Sequence, residues 1–193
     1  MNTLNKFMKS FGLLIVSAML LGSNMPAFAV NQTGTNQQQT QSTDSQLKTN
    51  IRHALIMLPY YTVFDILEFK LEDNGTVILS GQVVWASVKD DAERAVEKIA
   101  GVHTVINNIE VLPVLPYDNA IRRREFYAIY SQIGFERYAI QAVPPIHILV
   151  KNGNVTLEGV VDDQYDKTLA GLAAGNVPNV FHVTNDLRIR TIG

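Results

Sequence analysis

The feature that most constrains the fold of this chain is an internal repeat with an offset of 78 residues. At this offset the segment Asn74–Val83 corresponds to Asn152–Val161, and Val102–Val111 corresponds to Val180–Ile189. Two separate blocks that match at one unchanged offset indicate a tandem duplication rather than chance similarity. The sequence therefore predicts two small domains, at 47–112 and 117–193, joined by a linker at 113–116 whose prolines favour a semi-rigid connection.

Within each copy, the spacing of the apolar residues changes in a fixed order. The first copy opens with helical spacing from Leu47 to Leu58, followed by period-two alternation from Leu67 to Leu71, as in a half-buried strand. Asn-Gly pairs at 74–75 and 152–153 predict tight hairpin turns, after which a second strand, a second helix and a last strand follow. The order α-β-β-α-β is thus predicted twice. The first helix of the second copy is expected to bury Phe126, Ile129, Tyr130 and Ile133.

The repeated motif G-x-V-x-L-x-G-x-V, followed by a helix and then by G-V-x-x-V-x-N-x-[IL]-x-V, resembles the BON domain of bacterial osmotic-stress and nodulation proteins. The residues that carry this resemblance are Gly75, Val77, Leu79, Gly81, Gly101 and Asn107 in the first copy, and Gly153, Val155, Leu157, Gly159 and Asn185 in the second. Asn179 replaces the glycine that precedes the last strand, and asparagine is the next-best residue for a left-handed helix cap. The resemblance implies an α+β fold in which each copy is a sandwich of a small three-stranded mixed sheet and two helices.

The motif residues are interpreted mainly as structural. Gly81 and Gly159 lie inside strands, where glycine usually weakens pairing, so each is expected to admit close packing by a helix or a bulge. Asn107 and Asn185 are expected to bond to nearby backbone. The alternative is that either set of residues lines a ligand groove.

The N-terminus indicates export. Lys6 and Lys9 precede an apolar run at 11–21 and an Ala-x-Ala site that ends at Ala29, which predicts a cleaved signal peptide at 1–29. The run is shorter than the roughly 20 apolar residues that span a bilayer, so no transmembrane span is expected after cleavage. The polar segment 30–46 predicts a disordered tether. The resemblance also implies an envelope location, which here means the periplasm, with secretion beyond the envelope as the alternative.

The candidate binding residues lie on the first helix of the second copy. Arg122, Arg123 and Arg124 precede Tyr127, which is expected to face outward beside them. Three arginines beside an exposed aromatic ring can hold lipid phosphates while the ring enters the headgroup layer. The alternative is a solvated charged face, with Tyr127 packed on the other domain.

The resemblance implies binding to phospholipid or another envelope component, and no enzymatic activity. The expected partner is anionic phospholipid or an envelope protein, with self-association possible, and the expected role is envelope integrity under osmotic or related stress. The net charge of −2 predicts no attraction to nucleic acid. Trp85, the only tryptophan, is expected to be buried between the domains or against its own helix, with an interface anchor as the alternative.

Catalytic, metal and cofactor sites are not expected. The chain has no Cys, and its four His residues lack the spacing of helical metal ligands. The acidic pairs at 90–91 and 162–163 lie at predicted helix starts, where capping accounts for them. At the first of these starts, Ser87 with Asp90 three residues later resembles a capping box.

Overall fold

The same arrangement of helices and strands occurs twice in the computed structural model, which describes the backbone of residues 33–191 and the side chains of residues 44–191. The first domain contains α1 (Thr33–Ile56), β1 (Ile66–Leu71), β2 (Thr76–Val83), α2 (Ala86–Glu97), β3 (Thr104–Asn107) and β4 (Glu110–Val111). The second contains α3 (Pro116–Tyr130), α4 (Glu136–Ala139), β5 (Ile146–Lys151), β6 (Asn154–Val161), α5 (Gln164–Gly175), β7 (His182–Asn185) and β8 (Arg188–Ile189). The predicted signal peptide at 1–29 lies outside the described residues.

Each domain is built on a mixed sheet. The central strand, β2 or β6, pairs antiparallel with the strand before it in the hairpin. On its other side it pairs in parallel with two short strands, β3 and β4 or β7 and β8. These short strands are one predicted strand with an interruption, so the expected α+β fold of two tandem units is confirmed. In each domain the main helices pack against each other and against the sheet.

The interruption of the last strand is held by an asparagine side chain in both domains. The side-chain amide of Asn107 donates to the carbonyl of Lys89 on α2 at 3.0 Å, while its oxygen accepts the backbone amide of Ile109 at 3.2 Å. Asn185 makes the same two bonds, to the carbonyl of Lys167 at 2.7 Å and the amide of Leu187 at 3.4 Å. One side chain therefore ties the second helix to the strand and satisfies a backbone amide where the strand is interrupted.

Gly81 and Gly159 lie on the central strands, opposite the starts of their hairpin partners. Their φ angles are +114° and +122°, and a Cβ atom at either position would collide with a backbone carbonyl oxygen, of Ile66 or Pro145 respectively. The close neighbour is therefore the start of the adjacent strand rather than a helix. The other motif glycines lie in turns with positive φ, as does Asn179 at +75°. The four motif residues that are branched aliphatics have no exposed surface and form part of the cores: Val77, Leu79, Val155 and Leu157.

The two domains contact each other through the segment between α1 and β1. Val63 belongs to the buried core of the second domain, and its carbonyl accepts the backbone amide of Ile148 on β5 at 2.8 Å. An ion pair of 2.5 Å between Lys151 and Glu110 links the domains at the surface. The start of the first domain's hairpin thus lies against the outer edge of β5.

Two expectations about the N-terminal helix and the linker require correction. The sequence predicts a disordered tether at 30–46, but residues 33–46 form the N-terminal part of α1. Adding residues to an existing helix costs much less than nucleating one, so the packed part from Leu47 onward can support a polar extension. Pro116, predicted as part of the linker, is instead the first residue of α3, where its fixed φ suits the first turn.

The helix starts differ between the domains. Asp163 caps α5 by accepting the amide of Asp166 at 2.9 Å, as expected. In α2, however, the expected cap by Ser87 with Asp90 is wrong, because the helix begins at Ala86 and Trp85 occupies the cap position without a side-chain hydrogen bond. The pair at 90–91 therefore lies inside the helix, where Asp91 pairs with Arg94 at 2.6 Å.

Candidate functional site

The predicted binding residues lie on α3, whose start is fastened to the hairpin between β5 and β6. Asp118 is fully buried, and its carboxylate oxygens accept the backbone amides of Asn152 and Gly153 at 3.0 and 2.9 Å. Amides in a tight turn have no strand partner, so the carboxylate satisfies two donors, of which that of Gly153 is buried. These bonds also fix the orientation of α3. Arg122 lies one turn further along the same face of the helix and is therefore directed toward the same domain interior.

Arg122 does not belong to an exposed arginine cluster, which corrects the expectation from the sequence. Its side chain is 2 % exposed and donates to the carbonyl of Val150 on β5 at 2.7 Å and to the side-chain oxygen of Asn119 at 2.6 Å. Burial lowers the pKa of this guanidinium, while the nearby carboxylates of Asp118 and Asp65 raise it. The residue therefore belongs to the interior, where a carbonyl at the edge of the sheet and a side-chain amide accept from its two terminal nitrogens, while its Nε has no partner among the described residues.

Arg123, Arg124 and Tyr127 remain on the outer face of α3. Both arginines are exposed, and neither forms a salt bridge with any residue in the described part of the chain. The side chain of Tyr127 is 68 % exposed, and its ring meets the half-buried ring of Phe126 edge-on, with 5.7 Å between centroids. The expected outward position of Tyr127 beside two arginines is therefore present in the structure.

The chain after α3 exposes two isoleucines, one of which the sequence had assigned to the interior. The helix ends at Tyr130, so Ile133 leaves the helical face on which it was predicted and is 93 % exposed. Phe135 and Tyr138 enter the core in its place. Ile140 is 82 % exposed on the other side of the short helix α4. Helical periodicity cannot show this arrangement, because it holds only while the helix continues.

Polar contacts hold this exposed segment against α5. Arg137 on α4 pairs with Asp162 at 2.9 Å and also with Asp166, and its guanidinium lies 4.5 Å from the ring centre of Tyr138. The hydroxyl of Tyr138 donates to Asp166 at 2.5 Å and accepts the backbone amide of Asp162 at 2.8 Å. Asp162 and Asp166 thus anchor the segment as well as flanking the start of α5.

Glu125 is a buried charged residue that the sequence interpretation missed. It has no exposed surface, and neither carboxylate oxygen has a hydrogen-bond partner in the described structure. Burial raises the pKa of this carboxyl to about 8. The available signal was its spacing of four residues from both Ile121 and Ile129, which places it on the buried face. A glutamate is usually expected at the surface, but in this helix the spacing places Glu125 in the interior.

Trp85 lies at the interface between the domains but is not fully buried. Its side chain is 52 % exposed, and it lines a cavity of about 210 Å³ together with Asn119, Arg122 and Arg123 of the second domain. The expectation that this residue lies between the domains therefore fits the structure, whereas the expected burial is only partial.

Within residues 33–191, no helix combines the length and the apolar character needed to cross a membrane. The same part of the chain contains no group of three or more His, Cys, Asp or Glu residues arranged to hold a metal ion.

Two α-β-β-α-β sandwiches with matching glycine and asparagine contacts define a tandem repeat of one small domain. The family model for the BON domain matches residues 43–113 and 129–191, which is more than half of the chain. The chain therefore belongs to the BON domain family, whose members are in general non-catalytic binding modules. Residues 114–128, which include most of α3, lie between the two matched segments.

Two solved structures of CdsD, a structural protein of the type III secretion system of Chlamydia trachomatis, are similar to this chain. One is described as its C-terminal domain; it is 13 % identical and the match covers 74 % of this chain and 96 % of that one, with a TM-score of 0.30. The other is also 13 % identical, with 75 % and 92 % covered and a TM-score of 0.30. No curated protein matches the chain.

Proposed function

We propose that this protein is an exported, non-enzymatic binding module that contacts anionic phospholipid at the cell envelope. The contact is made by the α3 surface, which we define as Arg123, Arg124, Tyr127, Ile133 and Ile140. The observation that carries the proposal is that two cations without salt-bridge partners and three exposed apolar or aromatic side chains lie on α3 and the segment that follows it.

The two arginines supply the electrostatic part of the contact. Each basic residue near an anionic membrane contributes about 1 kcal/mol of binding, and this attraction weakens as salt screens it. Because both arginines lack carboxylate partners in the described residues, lipid phosphates do not have to displace an internal ion pair. Arg122 contributes nothing directly, since its side chain is buried and its two terminal nitrogens donate to Asn119 and Val150.

The apolar side chains supply the second part. Tyr127 presents an aromatic ring with a polar tip, which suits the headgroup region, and Ile133 and Ile140 are among the most exposed apolar residues of the described chain. Binding of an amphipathic surface to a membrane increases with its buried apolar area and with its attraction to anionic lipid, so the two parts of the contact reinforce each other. The bonds of Arg137 and Tyr138 to α5 hold the segment in place, which lowers the entropic cost of insertion.

The family resemblance and the predicted signal peptide support a proposed location and physiological role. We place the protein in the periplasm, where lipid contact would support envelope integrity under osmotic or related stress. No lipid species follows from the α3 surface, because two arginines recognise phosphate charge rather than a particular headgroup.

The direct test is co-sedimentation of the chain from Val30 onward with phosphatidylglycerol or phosphatidylcholine vesicles, at low and high salt. We expect pelleting with the anionic vesicles alone, reduced by salt. The double variant Arg123→Glu/Arg124→Glu should bind at least about tenfold more weakly. Arg94→Glu/Lys98→Glu makes the same charge change at exposed positions on α2 and directly after its end, and serves as the matched control.

Ile133→Ser/Ile140→Ser separates insertion from simple attraction. This variant keeps every charge, so a loss of binding that persists at low salt assigns a role to the two isoleucines. No pelleting of the unaltered chain, or equal pelleting by the arginine variant and its control, would refute the proposal.

The second candidate function is a structural protein–protein interaction module in the periplasm. Exposed Ile133 and Ile140 favour it, since apolar side chains on a fixed segment also suit a protein contact. Crosslinking in the intact envelope distinguishes the two functions. A specific crosslinked partner that is lost in Ile133→Ser/Ile140→Ser, with no vesicle binding, would support this alternative.

A further inference from the structure

The first domain contains a groove that the proposed lipid contact does not use. It has a volume of about 500 Å³ and runs between α1 and β1, with Arg188 of the second domain also contributing to its lining. We call it the β1 groove. All six residues of β1 line it, together with Lys48, Arg52 and Tyr61.

The β1 groove follows the outer edge of the strand. Successive side chains of a strand point to opposite faces, so a groove that meets six successive residues runs along the edge rather than over one face. β1 pairs with β2 on its inner side, and no other strand in the described structure pairs with it. At the N-terminal end of β1, the backbone amide of Leu67 lies beside the hydroxyl of Tyr61. Burial raises the pKa of this tyrosine, and the contact with Leu67 partly offsets that rise. The open edge therefore runs from Glu68 to Leu71.

The charges around this edge are mainly positive. Lys48 and Arg52 lie one turn apart on α1, and Arg188 contributes from the second domain. None of these three residues makes a salt bridge within the described part of the chain. The guanidinium of Arg52 lies 5.8 Å from the centre of the Phe69 ring. This contact directs Arg52 along the strand edge.

Three acidic residues reduce the positive charge of the β1 groove without cancelling it. Glu68 is the only carboxylate among the lining residues, against four cations, of which Lys70 is paired with Glu72 at 2.9 Å. Glu158 lies near the second-domain side: burial and the carboxylates of Glu68 and Asp186 raise its pKa, and Arg188 lowers it.

We propose that the β1 groove binds an extended acidic segment of a protein partner. The segment adds as a strand to the open edge of β1 and places its carboxylates at Lys48, Arg52 and Arg188. Charge complementarity selects an acidic ligand, and the strand edge selects a polypeptide, since only another backbone can pair with unpaired amides and carbonyls along a strand. A lipid headgroup would use the cations alone.

The test uses a fluorescent peptide of alternating Glu and Val, whose binding to the chain from Val30 onward is followed by anisotropy at low and high salt. We expect saturable binding that weakens with salt. The same peptide with every backbone amide N-methylated carries the same charge but has no backbone donors, so it should bind much more weakly. Equal affinity for the two peptides would overturn strand addition.

Variants of the chain locate the peptide. Arg52→Glu and Arg188→Glu should each weaken binding about tenfold, whereas Arg94→Glu, the same reversal on α2, should leave it unchanged. Glu68→Gln should tighten binding, a gain that a misfolded variant cannot produce. Unchanged affinity in both Arg52→Glu and Glu68→Gln would refute the proposal.

Two further measurements separate this proposal from the lipid contact. Arg123→Glu/Arg124→Glu should bind the acidic peptide normally while losing the vesicles. If Arg52→Glu instead abolishes vesicle binding and the unaltered chain does not bind the peptide, the β1 groove is a lipid site and the proposal is wrong.

Discussion

The two domains share one sheet design but differ at the centre of their first helix. Their sheet residues correspond at an offset of 78 residues, whereas the buried faces of α1 and α3 correspond at an offset of 74, which pairs Leu47 with Ile121, Ile51 with Glu125, and Leu55 with Ile129. The second domain therefore has four more residues between its first helix and its hairpin turn, and α4 lies in this region. The sheet is thus the constant part of the repeat, and the first helix and its connection are the variable part.

The pair formed by Ile51 and Glu125 shows what this variation costs. Both side chains have no exposed surface, but Ile51 fills an apolar core while Glu125 buries two oxygens without partners. Unpaired polar atoms in a core are costly, and the raised pKa of Glu125 measures part of that cost. The first domain therefore has the better core at this position.

The largest effect should come from giving the first domain the residue of the second. Ile51→Glu removes a buried aliphatic side chain and introduces a carboxylate, so it should destabilise the first domain by about 4 kcal/mol or more at neutral pH. Hydrogen exchange of the amides in β2 and α2 measures the first domain separately. Asn50→Glu, on the exposed side of the same turn, should change stability by less than about 0.5 kcal/mol. Similar losses in both variants would contradict the assigned packing.

The reverse exchange should stabilise the second domain. Glu125→Ile removes a carboxyl that is protonated when folded and ionised when unfolded at neutral pH, so it should add about 3 kcal/mol at pH 7. Hydrogen exchange of the amides in β5 and β6 measures the second domain separately. Glu136→Ile, which alters an exposed glutamate on α4, is the control. A loss of stability in Glu125→Ile would show that the carboxyl has a stabilising partner.

Glu125 should also make the second domain less stable as the pH rises. An ordinary glutamate ionises above about pH 4.5, while Glu125 in the folded chain stays protonated up to about pH 8. Between these values the unfolded state binds fewer protons than the folded state, so the free energy of unfolding falls with pH and levels off above the folded pKa. Hydrogen exchange at a series of pH values, corrected for the intrinsic rate, should show this slope in the unaltered chain and a flatter one in Glu125→Gln. Equal slopes would contradict the raised pKa.

The asparagine contacts should be worth a similar amount in both domains. Asn107→Ala and Asn185→Ala each remove a bond to the second helix and a bond that satisfies a buried backbone amide, so each should cost about 2 kcal/mol. Asn108→Ala, at the exposed neighbouring position, is the control. Asn107 also donates to Glu93 at 2.9 Å, so a larger loss in the first domain would assign a contribution to that extra bond.

The smallest expected effect concerns the starts of α2 and α5. Asp163→Ala removes the side-chain cap of α5 and should cost about 1 kcal/mol, whereas Asp163→Asn should retain most of the stability because asparagine caps equally well. Ser87→Ala should have little effect, since α2 has no side-chain cap. Thermal unfolding compares the three variants. A loss of stability in Ser87→Ala as large as that in Asp163→Ala would contradict the structure and support the capping box predicted from the sequence.

The repeat, the order of elements and the family could be predicted because each depends on local signals. Alternation from Leu67 to Leu71, the Asn-Gly turns and the glycine or asparagine before the last strands are set by the conformations that neighbouring residues can adopt. The α3 surface could be predicted only in part. Arg123, Arg124 and Tyr127 are exposed as expected. Arg122 was predicted to be exposed and is buried, whereas Ile133 was predicted to be buried and is exposed.

Sequence was sufficient for the duplicated α+β fold, since hydrophobic period and turn chemistry are properties of adjacent residues. Tertiary packing decided which charged groups are buried and which apolar groups are exposed. Arg122 is buried because β5 presents a carbonyl to it, and Ile133 is exposed because Phe135 and Tyr138 occupy the core after the helix ends. The β1 groove likewise depends on a helix, a strand edge and an arginine from the other domain meeting in space. Burial of a charged group depends on partners supplied by distant parts of the chain, and no local pattern specifies where those partners lie.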